Sequence, residues 1–453
     1  MKTFAIETWG CQMNHHDSER LAGILRAGGW RQSPDPMRAD LILLNTCSVR
    51  EKPVRKLLTR IGELTKHNLS GIIGICGCVA QQEGEDLLRR SPSVGFILGP
   101  GQLHRVGEAL RAVDQGHRPV LTGFDTETGY DVRTIFRTSS TRGMVTVIEG
   151  CNEYCTFCVV PYTRGPEVSR PMETILQEVR SLARNGIREV ELLGQTINAY
   201  RCPATGADLA DLLEALAGIE GLARIRFITS HPRLFDDRLI RVLARHRHLS
   251  RYLHLPFQAG SDTVLARMRR RYTREEYLDL IGRIRAAVPD INLSTDVIVG
   301  FPGETEKDFR QTLDLLESVR FGQVFAFAYS PRPRTPAARY DAQVPEPVKK
   351  ERLARLFELT DAISAELNAA LVGSTLPVLI DGDSRRDPGD WQGRTEDNRV
   401  VNFPKPEATA VGDIVTVRIT RASAHSLYGE AMNTGPHRLP VLDGEPSDDR
   451  ATA

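Results

Sequence analysis

The run C-N-E-Y-C-T-F-C sets Cys151, Cys155 and Cys158 at the spacing CxxxCxxC. Three thiolates on one tight loop suit three corners of a [4Fe–4S] cube and leave its fourth iron without a protein ligand. Such an iron can take the amino and carboxylate groups of S-adenosylmethionine, so that one electron cleaves a carbon–sulfur bond and releases the 5'-deoxyadenosyl radical. Structural zinc asks for four ligands in paired form, and no nearby Cys or His supplies the fourth here. Ferredoxin spacing also differs, with two-residue gaps and a further cysteine beyond. Phe157, between the second and third thiols, is an apolar neighbour able to shield a cluster. The array favours radical chemistry over zinc, and its structural context is what must bear that out.

Of the eight cysteines, the others are Cys11, Cys47, Cys76, Cys78 and Cys202. The opening MKTFAIETWG carries no basic region with a long apolar run, and no segment offers eighteen unbroken apolar residues. A soluble cytoplasmic protein without a membrane partner is expected, with thiols kept as ligands or buried groups and not as disulfides. Cys11, Cys47 and Cys78 each follow an expected strand, in the contexts WGCQMN, NTCS and GCVAQ. Parallel strands point their C-terminal ends to one edge, where distant thiols can converge. Three buried structural cysteines are the plainer alternative. Cys76, ending an apolar strand, and Cys202, in a loop, are read as nonligating.

The elements that must position these residues follow from periodicity. Strands are expected at 3–7, 41–44, 72–75 and 94–98, with helices over 17–28 and 51–64, giving a small parallel-sheet α/β domain over 1–120. A polar joining segment fills 121–141. From 142 to 371 a second series places strands at 144–148, 189–193, 224–228, 252–255, 293–299 and 324–328. Helices fill 172–184, 209–216, 274–287 and 306–319, and a charged helix follows Pro345. Six strand–helix units are two short of a closed eightfold barrel, so an open, partial (βα)6 TIM barrel is predicted, active at the C-terminal strand edge. Short β runs over 372–437 suggest a small β-barrel of nucleic-acid-binding type. The acidic end, 438–453, reads as a mobile tail.

The cysteine spacing directly after the first barrel-like strand resembles the radical S-adenosylmethionine superfamily. That resemblance places Gly194 and Gln195, after the second strand, near the amino end of the cofactor, and Ser294 and Asp296 near its adenosine side. Each glycine alone reads equally well as a simple turn. A closer resemblance spans nearly the whole chain. TWGCQMNHHDSE, LLNTCSVREK, GCVAQ, CNEYCTFCVVPYTRGPEVSR, LLGQTINAY, RIRFITSHP and STDVIVGFPGETEKDF are similar to the tRNA adenosine-37 methylthiotransferases. Gly10-Cys11-Gln12-Met13-Asn14 fits the isopentenyladenosine branch, and neither the GCPKN of the ribosomal-protein branch nor the GCKVN of the threonylcarbamoyladenosine branch. The family pattern is an N-terminal α/β domain, a radical core and a C-terminal TRAM domain. Thr196, Ala259 and Arg334 depart from it, standing where Asn, Ser and Gly are usual.

The resemblance implies a second [4Fe–4S] cluster on Cys11, Cys47 and Cys78, where the transferred sulfur is held and receives a methyl from one S-adenosylmethionine. A second S-adenosylmethionine yields the radical that takes hydrogen from C2 of the adenine, which the sulfur then attacks. It also implies the anticodon stem-loop of tRNA bearing isopentenyladenosine-37 as partner, and a low-potential electron donor such as flavodoxin or ferredoxin. A monomer is expected. The alternatives are a threonylcarbamoyladenosine or ribosomal-protein methylthiotransferase, or a noncatalytic iron–sulfur RNA-binding protein.

Lys plus Arg is 59 against 58 for Asp plus Glu, so a surface for a polyanion must be local. Arg267, Arg269, Arg270, Arg271 and Arg274 form the densest cluster. Arg332, Arg334 and Arg339 around Tyr329 and Tyr340 form a second. The last β module offers Arg385, Arg394, Arg399, Arg418 and Arg421, with Trp391, Phe403 and Tyr428 for stacking. Charge runs are also ordinary solvated faces, and some of these aromatics must fill the small barrel's core.

Overall fold

The computed structural model describes residues 1–48, 52–66, 71–124, 135 and 139–432. The expected tail and most of the joining segment lie outside the described residues, as do Val49, Arg50 and Glu51 of the LLNTCSVREK run.

The first domain is a wholly parallel sheet in the order β2-β1-β3-β4-β5-β6. Its strands are β1 (Thr3–Trp9), β2 (Arg31–Gln32), β3 (Leu41–Thr46), β4 (Ile72–Gly77), β5 (Val94–Leu98) and β6 (Val120–Leu121). The four expected strands are its centre. The two short edge strands escaped notice because two residues leave no periodicity to read. Alternation in β3 sorts the layers: Ile42 and Leu44 pack with helices α2 (Lys52–Lys66) and α3 (Cys78–Arg90), while Leu41 and Leu43 pack with α1 (Gln12–Ala27) and α4 (Val106–Asp114). Sheets buried on both faces are built this way. Helix α1 begins at Gln12, ahead of the expected Asp17, so that Cys11 becomes its N-cap.

The second domain holds β7 (Arg142–Thr146), β10 (Glu189–Leu193), β11 (Arg224–Phe227), β12 (Tyr252–His254), β13 (Asn292–Val299) and β14 (Gln323–Ala328). They form two parallel three-stranded sheets, β7-β10-β11 and β12-β13-β14, joined where Ile225 bridges to Leu249. Strand order follows chain order, as an open partial barrel requires. Between β7 and β10 lie a small antiparallel pair, β8 (Ile148–Glu149) with β9 (Val168–Ser169), and helices α5 (Val160–Thr163) and α6 (Met172–Arg184). Helices α7 (Leu209–Ala217), α8 (Asp237–Arg245), α9 (Asp262–Met268), α10 (Arg274–Ala287) and α11 (Glu306–Val319) cover the later strands. Capping boxes at Asp208/Asp211, Thr273/Glu276 and Thr305/Asp308 fix the starts of α7, α10 and α11 by satisfying orphan N–H groups reciprocally.

Helix α12 (Glu346–Ala369) runs along β14 and leads to the third domain. There a closed barrel of order β15-β16-β17-β19-β18 is made from β15 (Thr375–Asp383), β16 (Asp390–Arg394), β17 (Val400–Pro404), β18 (Ile414–Ala422) and β19 (Leu427–Ala431). Its core includes Phe403, fully buried, which corrects the expectation of a stacking role for that ring.

The β16–β17 turn closes the N-terminal mouth of the partial barrel. Four successive carbonyls accept from residues at the strand starts: Arg394 O from Arg224, Thr395 O from Arg226, Glu396 O from Ser250 and Asp397 O from Asn292, at 2.6 to 3.2 Å. Arg394 itself pairs with the buried Asp381, and Arg399 turns inward to Asp397 and Asn368. These two arginines therefore belong to the domain joint and not to an RNA surface, which corrects that expectation. Glu189 lies between Arg224 and Arg226 at 3.2 and 2.9 Å, all three side chains nearly inaccessible. Breaking a buried pair of this kind from one side costs about 3–5 kcal/mol. Glu189→Gln is expected to lose stability on that scale in urea unfolding. A loss of about 1 kcal/mol or less, typical of exposed pairs, would show that the joint does not depend on this carboxylate.

Candidate functional site

Cys11, Cys47 and Cys78 stand just beyond β1, β3 and β4, at the C-terminal edge of the first sheet. Cys47 shares hydrogen bonds with both other thiols. The loops are locked from behind: Asn45 donates to the Asn14 carbonyl at 2.8 Å and to Ser18 at 2.9 Å, and Asn14 donates to Asn45 Oδ1 at 3.1 Å. Gly77 has φ +92°, and a Cβ there would lie 2.4 Å from Asn45 Oδ1, so the turn that delivers Cys78 admits glycine alone.

Two helix N-termini meet at this triad, since Cys11 caps α1 and Cys78 opens α3. Helix N-termini and nearby guanidinium groups both favour thiolate. The hydrogen bond from Cys47 lowers Cys11 to about 6 and Cys78 to about 7, with the charge of Arg164 acting in the same sense against burial. Cys47 is pushed up by its two thiol neighbours and by burial. Cys76 faces the other layer, wholly buried, and burial pushes it up as well.

Arg164 comes from the other domain. It follows α5, its side chain is 3 % exposed, and it donates to Asp17 of α1 at 2.6 Å. Its Nη1 has no hydrogen-bond partner. Alongside it, Thr146 at the end of β7 hydrogen-bonds His16 Nδ1 at 2.9 Å, Arg20 reaches Glu149 at 3.4 Å, and α3 packs on α5. The cysteine edge of the first sheet is thus laid against the C-terminal end of the partial barrel.

There the second triad sits on the loop after β8. Gly150 opens it at φ +80°, where a Cβ would lie 2.0 Å from the Pro166 carbonyl, and Tyr154 takes φ +48° with half its surface open. Cys151 accepts from the Glu153 N–H at 3.5 Å and shares a 3.1 Å hydrogen bond with Thr196, and Cys158 accepts from the Val160 N–H at 3.5 Å. Arg270, 6 % exposed, donates to Cys155 at 3.5 Å. Burial pushes Cys151 up, and burial with the neighbouring Cys155 pushes Cys158 up to about 12. His231 stands 3.7 Å from Glu153, but burial and the charge of Arg270 hold it down to about 2, so the imidazole is neutral and the contact is not an ion pair.

Among the described residues, no group of His, Cys, Asp or Glu meets the geometry of one bound metal ion. The chemistry of the donors is therefore the test of fit. Each triad consists only of thiols, on loops that Gly77 and Gly150 close to larger residues; Arg270 and the Glu153 and Val160 N–H groups donate to the Cys151 set, and the charge of Arg164 favours thiolate in the Cys11 set. Such surroundings suit thiols that would hold an iron–sulfur cluster.

The four residues expected at the cofactor are placed as follows. Gly194 closes β10 against Ile148, and Gln195 Oε1 accepts from the Gly150 N–H at 2.6 Å, so its side chain braces the cysteine loop. Ser294 is fully buried between Tyr252 and His254, at 2.7 and 2.8 Å. Asp296, two residues nearer the active edge, is half-buried with a carboxylate oxygen 3.5 Å from His254 Nε2. Arg164, Arg270 and Thr196 at the sulfurs were not legible as site residues. The expectation that Arg270 faces RNA with its neighbours is corrected by its burial against Cys155. Arg334 adopts φ +67°, a conformation that explains the family's usual glycine there.

Family models match in chain order: an uncharacterized protein family, UPF0004, at residues 3–99, the Radical SAM superfamily at 145–316 and the TRAM domain at 369–432. The chain is 47 % identical over 434 residues to the tRNA-2-methylthio-N(6)-dimethylallyladenosine synthase of Alkalilimnicola ehrlichii, covering 94 % of this chain and 97 % of that one. The chain belongs to that synthase family. The Ralstonia nicotianae member is 45 % identical, over 96 % of this chain and 99 % of its own. Among solved structures, the radical S-adenosylmethionine methyltransferase TsrM from Kitasatospora setae overlays with a TM-score of 0.55 at 16 % identity, covering 75 % of this chain and 74 % of that one, a likeness of fold. Membership of the radical superfamily implies one [4Fe–4S] cluster and S-adenosylmethionine. No described helix is long and apolar enough to cross a membrane.

The depressed thiols give a direct check. In the iron-free chain, iodoacetamide labelling of Cys11 should accelerate as pH rises through about 6, because thiolate is present above that value and lost below it. Cys76 should stay unlabelled until unfolding. Peptide mass spectrometry reads both. Acceleration of Cys11 only near the ordinary thiol value of about 8.5 would contradict the cooperation of Cys47 and Arg164.

Proposed function

We propose that this chain methylthiolates C2 of N6-isopentenyladenosine at position 37 of tRNA, using two [4Fe–4S] clusters and two molecules of S-adenosylmethionine. The observation that carries the reading is the seating of one cysteine triad against the other across the Arg164–Asp17 contact, in a chain of the synthase family. Cys151, Cys155 and Cys158 would hold the cluster at which S-adenosylmethionine is cleaved, and Cys11, Cys47 and Cys78 the one that carries the sulfur. Bound there, these groups supply the radical that breaks an inert C–H bond and the sulfur that replaces the hydrogen. The chain's own residues position and insulate. Gln195 and Thr196 fix the radical loop, Asn14 and Asn45 fix the sulfur-bearing loops, and the neutral His231 adds no charge beside Glu153. Asp296, half-buried at the barrel interior, is the residue proposed to meet the adenosine of the cofactor.

Transfer RNA would be gripped outside this space. Arg267, Arg269 and Arg271 are exposed, and Arg421 lies over the Tyr428 ring at 4.3 Å, a cation–π pair on the outer wall of the TRAM barrel. A low-potential flavodoxin or ferredoxin would deliver the electron.

The test is nucleoside mass spectrometry after anaerobic reaction of the reconstituted chain with S-adenosylmethionine, reductant and tRNA. Isopentenylated tRNA should yield the 2-methylthio nucleoside, while threonylcarbamoylated tRNA and ribosomal protein remain unmodified. Product on either of those and none on isopentenylated tRNA would overturn the assignment.

A further inference from the structure

Each triad has a buried guanidinium of its own, and the two differ in how their charge is balanced. Arg270 donates through Nη1 to Cys155, through Nη2 to the Pro256 carbonyl at 3.1 Å and through Nε to Tyr272 Oη at 3.2 Å. None of these partners is a carboxylate, so its positive charge faces the thiolate unopposed. Arg164 acts on Cys11 and Cys78 but is bound to Asp17, whose negative charge opposes its effect on both thiols. Both side chains are buried, where Coulomb effects are screened far less than at the surface.

We infer that Arg270 and the Arg164–Asp17 pair set the reduction potentials of the two clusters separately, Arg270 raising that of the Cys151 set and Arg164 raising that of the Cys11 set, with Asp17 holding the latter back. This rests on the two-cluster reading above. The step concerned is the uptake of one electron by either thiolate-bound site from a one-electron reductant. No bond changes and no proton moves. A fixed positive charge beside the sulfur favours the state with the added electron, and a fixed negative charge disfavours it. Both arginines act through the thiolates and are positioning residues.

The experiment is an anaerobic titration of the full-length reconstituted chain with dithionite, followed by electron paramagnetic resonance, with iron counted for every sample. Added S-adenosylmethionine perturbs the signal of the site that binds it and so assigns the two. Arg270→Gln is expected to lower the midpoint of the S-adenosylmethionine-sensitive signal by at least about 59 mV, a tenfold change in reduced-to-oxidised ratio, leaving the other in place. Arg164→Gln should lower the other midpoint by less, and Asp17→Asn should raise it. Opposite signs at one ion pair distinguish electrostatics from simple damage. If a glutamine variant fails to hold iron, Arg270→Lys and Arg164→Lys carry the test: charge is kept, so each midpoint should stay nearer the unsubstituted chain than to any shift of tenfold size. Midpoints that do not move, that move together, or that fall for both Arg164→Gln and Asp17→Asn overturn the inference. An unsubstituted chain that assembles only one cluster's iron would instead overturn the two-cluster reading.

Discussion

Arg164 leaves its loop six residues after Cys158 and ends, buried, on Asp17 in a helix that begins beside Cys11. Much of the molecule is arranged around that contact. An unpaired guanidinium could not be buried there, since removing one partner of such a pair costs about 3–5 kcal/mol. The first sheet must therefore present its cysteine edge to the barrel in one orientation. His16 on Thr146 and Arg20 on Glu149 hold the same orientation at neighbouring points of α1. Two all-thiol sets far apart in sequence are held at the facing ends of two domains by a charge from one loop that is neutralised in the other domain.

The opposite end of the barrel follows a similar logic with different chemistry. Strand starts bearing Arg224, Arg226, Ser250 and Asn292 are capped by four consecutive carbonyls of the β16–β17 turn. Backbone carbonyls satisfy buried donors without adding charge, while Glu189 and Asp381 neutralise the guanidinium groups. The small β-barrel is thus part of the core's closure as well as the surface proposed to meet RNA.

The architecture was largely legible in the sequence. Strand β10, strand β5 and helices α6, α10 and α11 begin and end as periodicity predicts, because each buries one regular face. The cysteine positions at strand ends were legible for the same reason. The charged residues were not. Arg270 lies in a run of arginines, and nothing in the run distinguishes the one turned inward to Cys155 from Arg269 and Arg271 on the surface; the left-handed turns at Arg269 and Arg271 that invert it carry no glycine to announce them. Arg164 was hidden likewise, since Asp17 lies in another domain, and Arg394 and Arg399 were hidden because their inward turn depends on Asp381 in the neighbouring strand and Asn368 in α12. The alternation of β17 places Phe403 in the core and not at a stacking surface.

The most direct test of the account separates its two sites. Cys11, Cys47 and Cys78 are replaced together by alanine, and iron, folding, 5'-deoxyadenosine and methylthiolated tRNA are measured on one preparation. The account predicts a folded chain with one cluster's iron that still forms 5'-deoxyadenosine and makes no 2-methylthio nucleoside. A folded variant with that single cluster and undiminished methylthiolation would contradict it.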